Sequence, residues 1–368
     1  MKIVIALNFQ KLNAENMFIK GGNEMSNKVK IGILGAGTWG IALARMLCNA
    51  GNSVIVWSAV ESEIETLSST KTHPNFPEIR LPEQIIYTKN ISTACENSDI
   101  LVFAVPSVFV RATAKKAAPF ISNGQIIVDV AKGIEEETLY TMTEVIADEI
   151  KNSTVKLVAL SGPTHAEEVI NDLPTTIISA SNDPKTAETV QKVFNTGRMR
   201  VYTNDDIKGV ELCGALKNVI ALASGIATGL GCGDNAKAAL ITRGIAEICR
   251  LGIAMGCKEQ TFGGLAGIGD LIVTATSVHS RNNRCGMLIG QGVSVREAID
   301  KVGMVVEGLN ALPAAMSLAK KYNVEMPIVE TVDAVVSGRT DVSTAIDSLM
   351  ARELKSEISG STFANVYD

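Results

Sequence analysis

The sequence is poor in the residues that build metal sites and disulfide frameworks. It has only three histidines, and its seven cysteines include no C-x-x-C pair. Because the cysteine number is odd and most lie in segments patterned as core helices, we interpret them as reduced, packed thiols of a cytoplasmic protein. Cys249 and Cys257, with no histidine nearby, do not fit a zinc site, so no metal is expected.

Excess positive charge and long apolar runs are also missing. The chain has 34 Lys and Arg against 39 Asp and Glu, a formal net charge of -5, which gives no electrostatic footprint for nucleic acid or an anionic membrane. No uninterrupted run of about 18 apolar, uncharged residues predicts a membrane span. The apolar run at 3–7 is too short for a signal peptide. The expected partner is therefore a small molecule.

From residue 29, short apolar runs alternate with longer amphipathic segments. The strand-like runs are 29–34, 53–57, 100–105, 126–130, 156–161 and 175–180, and the helix-like segments are 39–50, 60–69, 107–118, 136–150, 164–170 and 185–195. This alternation predicts an α/β fold with an N-terminal, Rossmann-type, doubly wound parallel sheet. After Asn204 the pattern becomes helical and rich in Ala, Gly and Leu, which predicts an all-α C-terminal domain.

These changes in pattern divide the chain. Residues 1–24 precede Met25, which stands just before the first strand, and are predicted to be a poorly ordered extension. The dinucleotide-binding domain is predicted over 25–204 and the helical substrate domain over 205–350. Residues 351–368 form a C-terminal tail whose polar end is predicted to fray.

The most informative short motif is GAGTWG, which places Gly35, Gly37 and Gly40 as G-x-G-x-x-G after the first strand. Gly35 allows a tight turn, Gly37 presents no side chain to a pyrophosphate, and Gly40 lets the helix pack on the strand. Free N–H groups and the dipole at the helix start attract phosphates. The motif in this context predicts a bound dinucleotide.

The choice between NAD and NADP stays open. An acidic residue that binds the adenosine ribose is expected at the end of the second strand, where Ser58 and Ala59 stand instead. Glu61 is a candidate for that contact, but Ser58 to Glu61 also fits a helix capping box.

Lys217 lies within an apolar helical segment, 210–224, that is predicted to be buried. Its neighbours three and four residues away are Cys213, Gly214, Ile220 and Ala221, so no carboxylate of its own helix can pair with it. A lysine desolvated in this way has a lowered pKa and can exchange a proton near neutral pH. The alternative is a lysine that extends to the surface along its own stem; the small residues around it favour a ligand-facing role.

Three further positions point to the same site, each with a plainer alternative. Lys132 follows a strand at the edge where ligands bind open parallel sheets, or is a solvated loop lysine. Thr164 contacts a ligand or caps the next helix. Ser280 to Arg284 groups hydroxyl, guanidinium and amide donors suited to a phosphate, or is merely a basic loop.

Two acids complete the set of candidates. Asp270 follows a glycine-rich stretch and either caps a helix or lies beside Lys217 and orients its ammonium. Glu307 is a lone acid in an apolar run, where it either contacts a ligand or accepts a structural hydrogen bond.

These motifs occur in order over nearly all of 29–345 and together resemble those of the bacterial NAD(P)-dependent sn-glycerol-3-phosphate dehydrogenases. The segments that carry the resemblance are GAGTWG (35–40), VPS (105–107), AKGIE (131–135), SGPTHAEE (161–168), ELCGALKNVIALASG (211–225), GLAGIGDLIVTATSVHSRN (264–282) and VVEG (305–308). The lysine helix together with GDL and HSRN is far more specific than the glycine motif.

The resemblance implies a role for each matching residue. It implies cofactor contacts from Gly35, Gly37, Thr38, Trp39, Gly40, Lys132, Ala166, Arg281, Val305 and Glu307. It implies substrate contacts from Lys132, Gly162, Thr164, Lys217, Asp270, Ser280, Arg281 and Asn282, with Lys217 as the catalytic proton acceptor. Family members often carry Arg or His where Ser58 and Ala59 stand, so the departure affects the cofactor preference and not the reaction.

The resemblance also implies an activity. It is the reversible, NAD(P)H-dependent reduction of dihydroxyacetone phosphate to sn-glycerol 3-phosphate, which feeds glycerophospholipid synthesis in the cytoplasm. A homodimer formed through the helical domain is compatible with the sequence. The alternatives are a beta-hydroxyacid dehydrogenase, which also has a Rossmann domain and a helix-borne lysine, and a catalytically silent NADP sensor, which would not need Lys217, Asp270 and the phosphate loop together.

Overall fold

The computed structural model describes residues 28–152, 154–354 and 356–357. The predictions of an extension over 1–24 and of a fraying end to the tail fall outside these residues.

Eight strands form one sheet whose apolar strands are covered on both faces. The strands are β1 (Lys30–Leu34), β2 (Ser53–Trp57), β3 (Ile86–Thr88), β4 (Ile100–Phe103), β5 (Ile126–Asp129), β6 (Lys156–Ser161), β7 (Thr175–Ala180) and β8 (Met199–Asn204). Their spatial order is β3-β2-β1-β4-β5-β6-β7-β8. The first six are parallel and have the 3-2-1-4-5-6 order of dinucleotide-binding sheets, which confirms the predicted fold class.

The sheet reverses direction at β7. This strand pairs with β6 in antiparallel register, with Ser161 opposite Ile178, and β8 then pairs parallel to β7. The chain therefore leaves β8 at the edge opposite the carboxyl ends of the first six strands. The predicted parallel arrangement therefore holds for β1 to β6, whereas β7 runs antiparallel to β6.

Seven helices accompany the sheet. They are α1 (Thr38–Asn49), α2 (Glu61–Thr70), α3 (Ile91–Glu96), α4 (Val110–Ala117), α5 (Met142–Ile150), α6 (Ala166–Val169) and α7 (Pro184–Phe194). One core joins α1 and α7 to one face of the sheet, and a second core joins α4 and α5 to the other face. Helix α5 begins six residues later than the predicted 136, because Thr141 and Glu144 form a capping box there.

The remainder of the described chain is helical. Its helices are α8 (Ile207–Gly229), α9 (Asp234–Ala254), α10 (Glu259–Phe262), α11 (Asp270–Thr276), α12 (Arg281–Gly290), α13 (Val295–Val302), α14 (Glu307–Tyr322), α15 (Pro327–Val336) and α16 (Val342–Met350). A π-helical turn over Leu265–Gly269 leads into α11. These helices surround α8, which lies at the centre of a single apolar core.

The backbones of α8 and α12 are in direct contact. A Cβ on Gly225 would lie 2.1 Å from the carbonyl oxygen of Asn283, and one on Gly286 would lie 2.2 Å from that of Leu222. Glycine is required at both positions, because any side chain would push the two helices apart. By length and composition α8 could cross a membrane, but its most apolar window is 100% buried within this chain.

Candidate active site

A cleft of about 510 Å³ lies between the sheet and the helical half. On the sheet side it is lined by the segments that follow β1, β4 and β5, and on the helical side by residues of α8, α11 and α12. Strand order reverses between β1 and β4, and ligands of open parallel sheets bind in the crevice at such a switch point.

The glycine motif forms a cradle at the floor of this cleft. Gly35 has φ +123°, and a Cβ on Gly40 would lie 2.1 Å from the oxygen of Gly35, so both glycines serve the turn and its packing. Gly37 instead faces open space: no heavy atom lies within 4 Å of the position that a Cβ would take there. Because α1 begins at Thr38 without a side-chain cap, its first N–H groups are free for a phosphate. This cradle fits a dinucleotide, and Gly37, Thr38 and Trp39 line the cleft.

At the adenosine side of the motif, the structure tests one of the two interpretations of Glu61. The capping-box interpretation is wrong, because Val60 is the residue before α2 and makes no side-chain cap. The Oγ of Ser58 donates instead to Oε2 of Glu63 at 2.6 Å. Glu61 is ion-paired with Lys89 at 3.0 Å.

Two lysines from opposite sides of the cleft share one buried carboxylate. Nζ of Lys217, on α8, donates to Oδ1 of Asp270 at 2.5 Å. Nζ of Lys132, after β5, donates to Oδ2 of the same carboxylate at 2.6 Å. The residue before α11 is Gly269, and Asp270 makes no cap hydrogen bond. The structure therefore supports the interpretation of Asp270 as the partner of Lys217 and not as a helix cap.

The environment of Lys217 changes its proton affinity. Burial lowers the pKa of Lys217 to about 7; the carboxylate of Asp270 opposes this shift, and the ammonium of Lys132 adds to it. Nζ of Lys217 also donates to Oγ1 of Thr274 at 2.5 Å. Lys217 can therefore exist as ammonium or amine near neutral pH, which is the property of a general acid and base.

The position of α8 relative to the sheet is fixed by Glu211. This buried carboxylate accepts from the N–H of Thr143 at 2.8 Å and from the hydroxyls of Thr141 and Thr143 at 2.8 and 2.5 Å, at the start of α5. Burial raises the pKa of Glu211 to about 7, and the hydrogen bonds from the threonines oppose that shift. Lys208 on the same helix pairs with Glu144 at 3.0 Å. These contacts join the lysine helix to the sheet half.

The segment after β6 holds Lys132 in place. The carbonyl of Gly162, whose φ is +138°, accepts from Nζ of Lys132 at 3.0 Å, and Oγ1 of Thr164 accepts from it at 3.4 Å. His165 is the residue before α6, so the interpretation of Thr164 as its cap is wrong. Thr164 and Ala166 line the cleft, whereas Gly162 acts on it through Lys132.

The start of α12 presents positive charge to the cleft. Ser280 caps the helix by accepting from the N–H of Asn283 at 3.2 Å. Arg281 and Arg284 both line the cleft and make no ion pair or hydrogen bond within the described chain. Two guanidinium groups at one helix start form a strong anion site.

Asn282 and Glu307 connect elements around the cleft. Asn282 donates to Oδ1 of Asn218 at 2.9 Å and accepts from the N–H of Gly308 at 2.8 Å. Glu307 accepts from the N–H and the hydroxyl of Ser107 at 3.2 and 2.6 Å. Glu307 is thus a structural acceptor across the cleft, which it lines together with Val305.

Sequence reasoning assigned no role to several residues that line the cleft: Asn218, Thr274, His165 and His279. Thr274 lies four residues after Asp270, so helical spacing alone points to it. The two histidine rings lie 5.9 Å apart, and they come from segments 165 and 279, whose proximity no local pattern reveals.

The sheet order, the open glycine cradle and the buried lysine facing it define a two-domain NAD(P)-dependent dehydrogenase. Residues 30–187 match the family model of the NAD-dependent glycerol-3-phosphate dehydrogenase N-terminus, and residues 206–347 match that of its C-terminus. The chain belongs to the NAD-dependent glycerol-3-phosphate dehydrogenase family.

Individual relatives agree with the family models. The chain is 63% identical to a glycerol-3-phosphate dehydrogenase [NAD(P)+] 2 of Lactobacillus delbrueckii over 89% of this chain and 99% of that protein. It is 54% identical to the corresponding enzyme of Agathobacter rectalis over 89% and 97%. A crystal structure of glycerol-3-phosphate dehydrogenase from Coxiella burnetii superposes with a TM-score of 0.84 at 36% identity, over 88% of this chain and 99% of that one. The predicted enzyme class and NAD(P) cofactor are confirmed.

Proposed function

We propose that this chain catalyses the reversible, NAD(P)H-dependent reduction of dihydroxyacetone phosphate to sn-glycerol 3-phosphate, and so supplies glycerophospholipid synthesis. The observation that carries the proposal is the buried Lys217, whose ammonium shares Asp270 with Lys132 beside the dinucleotide cradle. The unpaired guanidinium of Arg281 in the same cleft matches a phosphorylated substrate.

The bound nicotinamide supplies the hydride that reduces the substrate carbonyl. Lys217 holds the proton that the carbonyl oxygen receives, and in the reverse direction its amine takes the proton from the hydroxyl. Lys132 and Lys217 stabilise negative charge on that oxygen, while Asp270 keeps both ammonium groups in place. Arg281, Ser280 and the amide of Asn282 bind the phosphate, and the first turn of α12 directs its N–H groups to the same anion.

The site residues that we propose follow the sequence assignment. Cofactor contacts come from Gly35, Gly37, Thr38, Trp39, Gly40, Lys132, Ala166, Arg281, Val305 and Glu307; substrate contacts come from Lys132, Gly162, Thr164, Lys217, Asp270, Ser280, Arg281 and Asn282. Gly35, Gly40 and Gly162 contribute through backbone geometry rather than by lining the cleft.

The domain division, location and assembly are part of the same proposal. We place the dinucleotide-binding domain at 25–204 and the helical domain at 205–350, because β8 ends at Asn204 and α8 begins at Ile207. Seven free cysteines support a reducing, cytoplasmic location. A homodimer through the helical half is the assembly that we propose.

The direct test is loss of reduced-nicotinamide absorbance with purified protein and dihydroxyacetone phosphate, with unphosphorylated dihydroxyacetone as the matched substrate. We expect turnover that depends strongly on the phosphate. Equal rates with both substrates, or activity confined to unphosphorylated hydroxyacids, would contradict the proposal and favour a beta-hydroxyacid dehydrogenase.

A further inference from the structure

The adenosine end of the cofactor cradle lies where β2 ends beside the glycine turn. Leu34 pairs with Trp57, and the N–H of Gly35 donates to the carbonyl of Trp57 at 2.8 Å. The residue after Trp57 is therefore adjacent to the turn that receives the pyrophosphate. Dinucleotide-binding sheets place at this point the acid that accepts a hydrogen bond from the 2′-hydroxyl of the adenosine ribose. In this chain that residue is Ser58.

Helix α2 brings a carboxylate to Ser58. The Ser58 side chain is only 5% exposed, and its Oγ accepts from the N–H of Val60 at 3.1 Å while donating to Oε2 of Glu63 at 2.6 Å. These two bonds fix the hydroxyl, which in turn holds the carboxylate of Glu63 near the end of β2. Glu63 itself is exposed, and within the described chain only one of its carboxylate oxygens, Oε2, accepts a hydrogen bond.

Two basic side chains lie near this carboxylate. Lys89 is ion-paired with both Glu61 and Glu65, at 3.0 and 2.7 Å, so these two carboxylates already balance its charge. Burial lowers the pKa of His73, while the carboxylate of Glu63 and the backbone of Ala36 raise it.

We infer that Glu63, held by Ser58, accepts a hydrogen bond from the adenosine 2′-hydroxyl and repels a 2′-phosphate, so that this chain prefers NAD(H) to NADP(H). The carboxylate of Glu63, in the first turn of α2, thus replaces the acid that is missing at the end of β2. A 2′-phosphate would meet the negative charge of this carboxylate, while the charge of Lys89 is already engaged by Glu61 and Glu65. The inference rests on the proposed function, because it concerns the cofactor of that reaction.

Calorimetric binding of two fragments tests the inference without turnover. The fragments are ADP-ribose and its 2′-phosphorylated form, both lacking nicotinamide, measured at one fixed salt concentration. We expect ADP-ribose to bind at least about tenfold more tightly to the unmodified chain. In Glu63→Gln the ratio should fall to near one, and in Glu63→Arg it should reverse.

Two further variants separate this role from a structural one. Ser58→Ala should lower the ratio less than Glu63→Gln does, since it only releases the carboxylate. Glu188→Gln removes an exposed carboxylate from α7 without releasing Lys89, and should leave the ratio unchanged. Equal binding of both fragments by the unmodified chain, or an unchanged ratio in Glu63→Gln, overturns the inference. If the ratio depends on Glu63 but dihydroxyacetone phosphate is not reduced, the proposed reaction fails while the cofactor preference stands.

Discussion

The cleft has two charged regions, and they differ in whether their positive charges have a partner within the protein. In the reaction region, the ammonium groups of Lys132 and Lys217 are both bonded to Asp270, whose side chain is 1% exposed. In the region that we propose for the substrate phosphate, called the phosphate region below, Arg281 and Arg284 line the same cleft without a protein partner in the described chain. The first region has a counterion of its own, which offsets one of its two positive charges, and the second keeps its charges for a ligand.

The difference follows from what each region must do. A buried charge without a partner is costly, so lysines that act on an uncharged carbonyl need a counterion of the protein's own. A site for a phosphate gains most when its counterion is the substrate itself. Partial exposure of the guanidinium groups keeps the cost of leaving them unpaired low before the substrate binds. Variants should therefore affect turnover in one region and substrate affinity in the other.

Lys217→Ala is expected to have the largest effect, because it removes the group that holds the proton. Turnover should fall about a thousandfold, within the range of general acid–base catalysis. Cofactor binding, measured by fluorescence of the reduced nicotinamide, should change little. Lys237→Ala, at a half-buried position of α9 outside the cleft, is the control and should keep normal turnover. A Lys217→Ala enzyme with normal turnover would refute the assignment.

Asp270→Asn tests the reaction region directly. Removing the shared carboxylate leaves two ammonium groups facing each other, so we expect about a hundredfold loss of turnover. It should also cost about 3–5 kcal/mol of stability, as for a broken buried ion pair. Since Asp270 opposes the lowering of the Lys217 pKa, the pH at which reduction declines should move further down. A normal melting temperature with an unchanged pH profile would contradict the sharing of this carboxylate.

Arg281→Ala tests the phosphate region. The KM for dihydroxyacetone phosphate should rise about thirtyfold, as expected for a charged hydrogen bond, while kcat changes less. Arg284→Ala should give a smaller rise. Rates with unphosphorylated dihydroxyacetone, measured at saturating cofactor because Arg281 is also a proposed cofactor contact, are the internal control and should not respond; if they fall equally, the two regions are not separate.

The pH profile of the unmodified enzyme should differ between the two reaction directions. Reduction needs the ammonium form of Lys217, whose pKa is about 7, so kcat should fall about tenfold per pH unit well above pH 7. Oxidation needs the amine and should rise with pH through the same range. Parallel profiles in both directions would exclude Lys217 as the titrating group.

Thr274→Val is expected to have the smallest effect. It removes one acceptor of the Lys217 ammonium, so turnover should fall about fivefold. Thr276→Val, an exposed position on the same helix, is the matched control. If both variants lose turnover equally, the loss comes from a general disturbance of α11 and not from the missing contact with Lys217.

The fold could be predicted where burial dictates the sequence. Strands such as β4 are apolar on both faces and were found, whereas β8 is an edge strand that alternates buried and exposed residues and was missed. The three-residue β3 is too short for a pattern. The reversal at β7 was not predicted, because pairing direction depends on the short α6 connection and not on the strand itself.

The site was predictable where a residue conflicts with its local pattern. Lys217 lacks a partner on its own helix, which identified it, and the glycine motif identified the cradle. Glu211 and Asn218 are equally out of place in an apolar helix, but their partners lie on α5 and α12, far away in the sequence. Glu63 could not be found because its link to the ribose position passes through Ser58.

The backbone contact between α8 and α12 gives the cleft a fixed length. Lys217 is carried by one of these helices and Arg281 by the other, and glycines at 225 and 286 bring the two backbones together. The spacing between proton donor and phosphate anchor therefore cannot adjust through side-chain repacking. The cleft therefore selects substrates by length: one that is a carbon longer or shorter would reach only Lys217 or only Arg281, and not both.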